Sequence, residues 1–289
     1  MVEETPSPMY QFPTPPDLWD KLEVASQAIR SLASALPHIV IVTGSGLGGL
    51  LDHVSIDCWA RFADLPHFAV PTVDGHSGRL VIGTLGRIPV IIMAGRLHSY
   101  EGYSVSETVF PVRALAHAGA TTFLLLNAAG ALRKDFLPGD LVLIRDHINM
   151  SGTNPLVGHN DPRLGPRFLP MNEVYDKVLS DAVLQAGSDL GTRIHEGVYV
   201  GVLGPTYESA AEAQMYARLG GDIAGMSTVP EAIALRHMGR RVVAISAVTN
   251  LAAGLTPQPP SHAEVLETAA LLDHKLARIV SATISMWHV

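Results

Sequence analysis

The sequence predicts an α/β fold: a single domain whose central β-sheet is mixed, largely parallel and twisted, with helices on its faces. Short apolar runs alternate with helical segments, most regularly in the second half. The strand-like runs there are residues 197–204, 222–225 and 241–248, and the helices behind them begin with the capping-box patterns Ser209-x-x-Glu212, Thr228-x-x-Glu231 and Ser261-x-x-Glu264. Strands that alternate with helices build largely parallel sheets, so these units predict the architecture.

The first half supplies the remaining elements. A helix is expected after Asp17, a good N-cap, because apolar residues recur at helical spacing as far as Leu36. Strands are expected at residues 39–43, 80–85, 88–94, 121–126 and 140–148, with Gly86-Arg87 as a hairpin turn. A further helix should begin at Ser104 and kink at Pro111. The long Pro/Gly-rich loop 151–170 is typical of a functional or interface segment.

Domain organisation follows from the distribution of prolines. Residues 1–16 contain five prolines and are expected to form an extended arm. No internal repeat and no linker follows, so residues 17–289 are expected to form one domain.

Composition excludes several classes of protein. The 289 residues are 47% hydrophobic and 16% charged, which is typical of a globule with a large core. The formal net charge of −7 argues against nucleic-acid binding, which needs a basic face. The one cysteine, Cys58, rules out an intrachain disulfide framework and fits a reducing compartment. We expect a cytoplasmic protein without a signal peptide or membrane span.

The segment IVIVTGSGLGGL (39–50) raises the possibility of a dinucleotide site, because Gly44, Gly46 and Gly49 have the spacing G-x-G-x-x-G. Such a site needs an acidic residue at the end of a second strand about 20 positions on. Asp64 has that position, but the residues before it, IDCWARFA (56–63), make a poor strand. No βαβ unit follows, and the lysine of a P-loop is missing. The glycine turn therefore predicts a smaller anion site.

Free phosphate is the anion that the neighbouring motifs favour. Backbone N–H groups of a glycine turn attract negative charge, and Ser45 adds a hydroxyl donor. Arg96 and His98 lie two residues apart in GRLH, and an arginine fork suits phosphate oxygens.

These motifs resemble the trimeric, low-molecular-mass purine nucleoside phosphorylases. The similar segments span nearly the whole chain in the family's order: TGSGLGGL (43–50), GHSGRLV (75–81), GRLHSYEGY (95–103), FPVRALAHAG (110–119), NAAGAL (127–132), GDLVLIRDHIN (139–149), NPL (154–156), GPTYES (204–209), GMSTVPE (225–231), ALRH (234–237), AVTNLAAG (247–254) and SHAEVL (261–266). The segment AVTNLAAG is closer to bacterial members than to animal ones. The resemblance implies a nucleoside phosphorylase-like fold for the domain 17–289 and phosphorolysis of purine nucleosides to free base and pentose 1-phosphate in purine salvage.

The resemblance also implies roles for particular residues. Those around phosphate are Ser45, His76, Arg96, His98, Ala128 through its backbone N–H, and Ser227. Those beside the ribose are Tyr100, Met226 and His262, and those at the base are Tyr207, Glu208, Thr249 and Asn250. Within these sets His98, Glu208 and Asn250 are the catalytic candidates. Phe168 is expected to come from the neighbouring subunit of a homotrimer, which gives the loop 151–170 a purpose.

Specificity can be predicted from the base-binding candidates. The Glu208 carboxylate can accept from the N1–H of a 6-oxopurine, whereas adenine presents a bare lone pair there, so inosine, guanosine and their 2′-deoxy forms are the expected substrates. Asn250 can donate to N7 of the leaving purine. Phosphate is a co-substrate, and no cofactor or metal is required.

Other readings stay open at this point. Methylthioadenosine phosphorylase is an alternative, against which Glu208, Asn250 and His262 argue, and xanthosine and nicotinamide riboside are possible further substrates. A non-catalytic purine-binding protein and an NAD-dependent oxidoreductase are more distant alternatives. His262 could instead serve the helix start at Ser261, and Tyr207, which stands where animal members usually have phenylalanine, could be ordinary packing.

Overall fold

A computed structural model describes residues 14–73, 76–257 and 261–287. Most of the expected arm, residues 1–13, lies outside the described residues. The six α-helices are α1 (Leu18–Arg30), α2 (Val105–Ala118), α3 (Lys177–Asp189), α4 (Ala210–Arg218), α5 (Val229–His237) and α6 (His262–Ser285). The nine strands are β1 (Ile39–Val42), β2 (Val54–Arg61), β3 (Arg79–Leu85), β4 (Ile88–Ala94), β5 (Thr122–Ala131), β6 (Leu141–Asn149), β7 (Ile194–Gly201), β8 (Ile223–Gly225) and β9 (Arg241–Leu251).

All nine strands belong to one mixed sheet, in the order β2-β3-β4-β1-β5-β8-β7-β6-β9. The parallel pairs are β1–β4, β1–β5, β5–β9, β6–β7 and β7–β8, and the antiparallel pairs are β2–β3, β3–β4, β5–β8 and β6–β9. Because β9 also pairs with β5, the last five strands close into a ring. The predicted mixed α/β sheet is therefore confirmed.

The core lies on both faces of the sheet. Alternate residues of β9 show this division, because Val242 and Ala244 pack with α1, α2 and α5, whereas Val243 and Ile245 pack with α3 and α6. Strand side chains alternate between the two faces, so an apolar strand such as β9 must be covered on both.

One irregularity in this pairing bears on the site. Ala129 of β5 is opposite Val248 of β9, but the next residue, Gly130, is opposite Asn250. Thr249 is therefore an additional residue in β9, a β-bulge, and the strict alternation of side chains is interrupted there.

All five predicted helix starts lie directly before a helix, but the expected side-chain cap forms at three of them and is missing at two. Ser261 accepts from the Glu264 backbone N–H at 3.2 Å. Ser104 and Ser209 each form the complete reciprocal capping box with the glutamate three residues on. Asp17 makes no side-chain cap bond, and its carboxylate pairs with Lys21 at 3.0 Å. Thr228 makes none either; its φ is 68°, and the glutamate three residues on is turned into the core.

Other boundaries also differ from prediction. The segment IDCWARFA does contain a strand, β2, which pairs antiparallel with β3. It escapes a pattern search because it is an edge strand with mostly exposed side chains and a register shift between Ile56 and Cys58. Helix α3 was not anticipated, and α1 ends at Arg30 instead of near Leu36. A short 3-10 helix, Gly48–His53, follows the glycine turn.

Candidate active site

A cavity of about 300 Å³ opens at the carboxyl ends of β1, β4, β5, β8 and β9, the edge where open α/β sheets bind ligands. The structure brings together there all the predicted site residues apart from His76 and Phe168. Those that line the cavity are Ser45, Arg96, His98, Tyr100, Ala128, Tyr207, Glu208, Met226, Ser227, Thr249, Asn250 and His262. Residues from seven separate segments thus converge on one space.

Arg96 is the buried cation of the site, with 1% of its surface exposed. Its Nη1 donates to the carbonyl of Leu126 at 2.7 Å and lies 3.4 Å from Oγ of Ser227. Its Nε donates to Glu231 at 3.3 Å, and its Nη2 lies 3.2 Å from the other oxygen of that carboxylate. The guanidinium is therefore held on two sides while it lines the cavity.

His98 is oriented by Glu101. Oε1 of Glu101 accepts from the His98 backbone N–H at 2.8 Å and from ring Nδ1 at 3.0 Å. Burial alone would raise the pKa of Glu101, but hydrogen bonds from His98 and Thr72 outweigh it and hold the pKa at about 2. Since Nδ1–H is committed to a carboxylate, Nε2 is the ring nitrogen left to serve the cavity.

His76 contacts Ser45 but is not one of the cavity-lining residues. Its Nδ1 accepts from the backbone N–H of Arg96 at 3.1 Å, and its Nε2 lies 2.9 Å from Oγ of Ser45. Burial, with the charges of His98 and Arg96, lowers the pKa of His76 to about 3. The neutral ring therefore carries its proton on Nε2 and donates it to Ser45, which leaves the serine O–H free to donate elsewhere.

Ser227 is fixed by groups that the sequence did not suggest. Its backbone N–H donates to the hydroxyl of the fully buried Tyr199 at 3.3 Å, and its Oγ lies 3.1 Å from Oγ1 of Thr228. Thr228 accepts in turn from Asn127, whose amide oxygen accepts from Ser246. This buried polar network positions the strand ends around the anion-binding candidates.

The glycines of the G-x-G-x-x-G turn are explained by packing. Gly46 has a φ of 71°, and a Cβ there would lie 2.6 Å from the side chain of Ala269 on α6. A Cβ on Gly49 would lie 2.3 Å from the carboxylate of Asp273, also on α6. The turn needs glycine because α6 packs directly on it, so the spacing is no sign of a dinucleotide.

An amide and a carboxylate, those of Asn250 and Glu208, also line the cavity. Thr249 and Asn250 are consecutive residues of a strand, and both line the cavity because of the bulge. The Thr249 hydroxyl donates to Oδ1 of Asn250 at 3.0 Å, and Nδ2 of Asn250 donates to the carbonyl of Leu251 at 3.2 Å. The carboxylate of Glu208 accepts from the backbone N–H of Ala253 at 3.2 Å.

Two tyrosines give the cavity aromatic surface. The ring of Tyr100 stacks on His98 with the centroids 4.7 Å apart, and burial raises the pKa of Tyr100 to about 12. Burial, together with Glu208, also raises the pKa of Tyr207. Both phenols are therefore neutral at physiological pH. His262, the first residue of α6, is exposed at the cavity rim.

Phe168 lies away from this cavity. It is 88% exposed and borders a separate open groove of about 400 Å³ with Arg167, Leu169 and Ile233.

Sequence reasoning missed three residues that hold the site together. The sequence pattern places Glu231 in a capping box and Tyr199 in an apolar strand, and it gives no signal for Thr72. Only Glu231 left a signal, because a carboxylate in an otherwise apolar helix needs a partner.

Two negative findings concern the described residues. Within 14–73, 76–257 and 261–287, no group of three or more His, Cys, Asp and Glu side chains could hold a metal ion. No helix in those ranges is long and apolar enough to cross a membrane.

The proteins that this chain resembles belong to one family. Residues 38–285 match the model of the phosphorylase superfamily. The chain is 44% identical to purine nucleoside phosphorylase 1 of Geobacillus stearothermophilus, over 91% of this chain and 96% of the relative. It is 42% identical to purine nucleoside phosphorylase 1 of Bacillus subtilis, over 93% and 99% of the two chains. With the purine nucleoside phosphorylase of Rattus norvegicus the identity is 40%, over 91% and 93%.

Solved structures give the same result. A purine nucleoside phosphorylase of Schistosoma mansoni in complex with adenosine superposes with a TM-score of 0.88 at 36% identity, covering 93% of this chain and 98% of that one. Isoform 2 from the same organism, in complex with cytosine and ribose-1-phosphate, has a TM-score of 0.88 at 35% identity, covering 94% and 98%. The chain therefore belongs to the purine nucleoside phosphorylases of the phosphorylase superfamily, which are pentosyltransferases.

Proposed function

We propose that this chain catalyses the phosphorolysis of 6-oxopurine ribonucleosides and 2′-deoxyribonucleosides, giving free base and (deoxy)ribose 1-phosphate in purine salvage. The observation that carries the proposal is one cavity lined by two unlike sets of groups. Ser45, Arg96 and Ser227 supply donors for an anion, which we place at one end, and Glu208 and Asn250 supply an acceptor and an amide, which we place at the other.

Phosphate is the co-substrate that fits the first end. Arg96 is the cation there, and the Ser45 hydroxyl, relieved of donating to His76, can point its proton at a phosphate oxygen. The backbone N–H of Ala128 is a further proposed donor, and His98 Nε2, which accepts while Nδ1 carries the proton, would take the O–H of hydrogen phosphate. A phosphate held in this way is oriented for attack before reaction, which is worth several kcal/mol in general.

The proposed reaction requires few further groups from the protein. As the nucleoside C–N bond breaks, positive charge grows on the sugar, and phosphate beneath it is both counter-ion and nucleophile. The purine leaves with negative charge, which a donor from the Asn250 amide stabilises. Tyr100, Met226 and His262 would hold the ribose between the two ends. No cofactor or metal enters this scheme.

Glu208 supports the choice of a 6-oxopurine. A carboxylate accepts from N1–H of hypoxanthine or guanine, and it meets only a lone pair in adenine. The bond from Thr249 to Oδ1 of Asn250 supports an amide orientation in which Nδ2–H faces the base. Tyr207 would stack on the purine.

Adenosine is the substrate that most sharply tests this preference. The similar Schistosoma mansoni enzyme is described in complex with adenosine. Methylthioadenosine, also a 6-aminopurine, and xanthosine, a further 6-oxopurine nucleoside, stay as alternative substrates.

We propose further that the enzyme is a homotrimer in which Phe168 completes the neighbouring subunit's site. Its loop is tied to its own chain: Arg167 donates to the carbonyls of Leu156 and Gly158, and His237 Nε2 donates to Pro166 at 3.1 Å. A fixed loop that presents an aromatic ring 88% exposed supports a role outside its own subunit.

Three further expectations rest on the sequence alone. We propose a cytoplasmic location, one phosphorylase domain over residues 17–289, and an arm over residues 1–16.

The decisive experiment measures base release from inosine, guanosine, adenosine, methylthioadenosine and xanthosine, with and without phosphate. Phosphate-dependent release from inosine and guanosine, with adenosine nearly inert, is expected. Arg96→Met, of similar length and without charge, should abolish phosphate-dependent base release at millimolar phosphate. Release without phosphate would mean hydrolysis and overturn the anion site, and equal cleavage of adenosine would overturn the account of Glu208.

A further inference from the structure

Glu231 is a buried carboxylate whose partner lies in the active site. It is on the first turn of α5, 4% exposed, and does not line the cavity. Its helix starts without a side-chain cap, because Thr228 adopts a φ of 68° and shares its hydroxyl with Ser227 and Asn127. Glu231 is therefore free of the capping role that its position in the sequence suggests.

The carboxylate instead grips one edge of the Arg96 guanidinium. Oε1 accepts from Nε at 3.3 Å, and Oε2 lies 3.2 Å from Nη2. Nη1 is occupied by the Leu126 carbonyl and Ser227. Neither Nη2 nor Oε2 of Glu231 has a well-aligned hydrogen bond among the described residues, so their contact is an ion pair and Nη2 retains donor capacity.

A carboxylate at this place has an electrostatic cost for an enzyme that binds an anion. It cancels much of the charge of Arg96 and repels phosphate at short range. Buried ion pairs are also weak stabilisers compared with apolar packing. Neither affinity nor stability therefore accounts well for Glu231. Orientation does, because the hydrogen bond from Nε to Oε1 and the ion pair of Nη2 with Oε2 restrain the same edge of the fork.

We propose that Glu231 is a positioning residue for phosphorolysis: it holds the Nε–Nη2 edge of Arg96 so that the remaining N–H groups face phosphate. This inference rests on the proposed use of phosphate as co-substrate. It assigns the first turn of α5 to the reaction although no atom of Glu231 touches the cavity.

The test separates geometry from charge. Glu231→Asp keeps the charge but is one methylene shorter, so it cannot meet both nitrogens. Glu231→Gln keeps the length, but its amide N–H group would face an N–H group of Arg96. Both should raise KM for phosphate about tenfold or more, the size expected when a charge-assisted hydrogen bond is misaligned, with KM for inosine at saturating phosphate within about twofold.

Glu212 provides a matched control. Glu212 is the third residue of α4, as Glu231 is of α5, and both helices are nine residues long. In α4, however, the carboxylate caps its own helix, accepting from the Ser209 backbone N–H at 2.8 Å. Glu212→Asp and Glu212→Gln should leave both KM values unchanged.

Each outcome decides the proposal. If Glu231→Asp has a normal KM for phosphate and Glu231→Gln has a raised one, only the charge matters and the positioning role is overturned. Normal KM values for phosphate in both variants would overturn it too. If Glu231→Gln fails to fold, Glu231→Asp decides. Calorimetry with inorganic phosphate gives the affinities even without turnover: a wild-type chain that binds no phosphate overturns the proposed function and this inference together, whereas equal binding by wild type and Glu231→Asp overturns only this one.

Discussion

Replacing Glu101 by glutamine should destabilise the protein in a way that depends on pH. The carboxylate is 1% exposed and accepts four hydrogen bonds, two from His98 at 2.8 and 3.0 Å and two from Thr72 at 2.6 and 2.7 Å. These bonds lower its pKa from 4.5 to about 2. A tenfold change in an acid dissociation constant is worth about 1.4 kcal/mol, so the ionised carboxylate contributes about 3 kcal/mol to the free energy of unfolding at neutral pH.

The sign of the pH dependence follows from the lowered pKa. The unfolded chain binds the proton more readily than the folded one, so this contribution is complete well above pH 4.5 and is lost as the pH falls towards 2. Glu101→Gln lacks a titrating group at this position. The difference in unfolding free energy between wild type and variant should therefore be about 3 kcal/mol at pH 7 and shrink to about 1 kcal/mol near pH 2.5.

Urea unfolding followed by circular dichroism at several pH values would measure this difference, at one protein concentration because subunit association also affects stability. Glu267→Gln, at an exposed glutamate of α6, is the control for a general effect of removing a carboxylate. A difference between wild type and Glu101→Gln that is the same at pH 7 and near pH 2.5 would refute the reasoning, because stability would then not depend on ionisation of Glu101.

Three further predictions concern the two ends of the cavity and its loops. Phe168→Ala should raise KM for nucleoside about tenfold without lowering Tm, since the ring is 88% exposed. Mixing this variant with inactive Arg96→Met subunits should restore part of the activity. Unchanged kinetics would contradict the shared site. Asn250→Asp should lower kcat/KM for inosine by about a hundredfold relative to adenosine, and an equal loss for both nucleosides would show that the residue does not select the base. Gly46 has a φ of 71°, and an added Cβ would lie 2.6 Å from the Ala269 side chain, so Gly46→Ala should lower the free energy of unfolding by about 1–3 kcal/mol in urea titrations. An added Cβ at Gly48 would meet nothing within 4 Å, so Gly48→Ala should change it little. Similar losses in both variants would count against the packing argument.

Much of the architecture was predictable because the signals were local. The capping boxes at Ser104 and Ser209 need only four residues, and both form as expected. The strand ends were predictable for a similar reason, since apolar runs stop where polar residues begin. Parallel strands bring such ends to one edge, so the convergence of Ser45, Arg96 and Asn250 could be anticipated.

What could not be predicted depends on distant partners. Glu231 has the spacing of a cap residue, but its carboxylate finds Arg96, which is 135 positions away in the chain. Strand β2 has little apolar periodicity of its own because it pairs on one side only, and its existence depends on β3. The glycines at 46 and 49 gave a misleading motif, since their need for space comes from α6, near the other end of the chain.

The extra residue in β9 has a consequence for how this enzyme can vary. Two neighbouring side chains, Thr249 and Asn250, serve the same cavity only because the strand gains one position relative to β5. Deleting any one residue between Ala244 and Asn250 would remove that gain and turn the amide towards the opposite face of the sheet. Substitutions at these positions change which groups meet the cavity, but they leave the register of β9 intact. The lining of this wall can therefore diverge by exchange of side chains, whereas insertion or deletion in β9 would disrupt it.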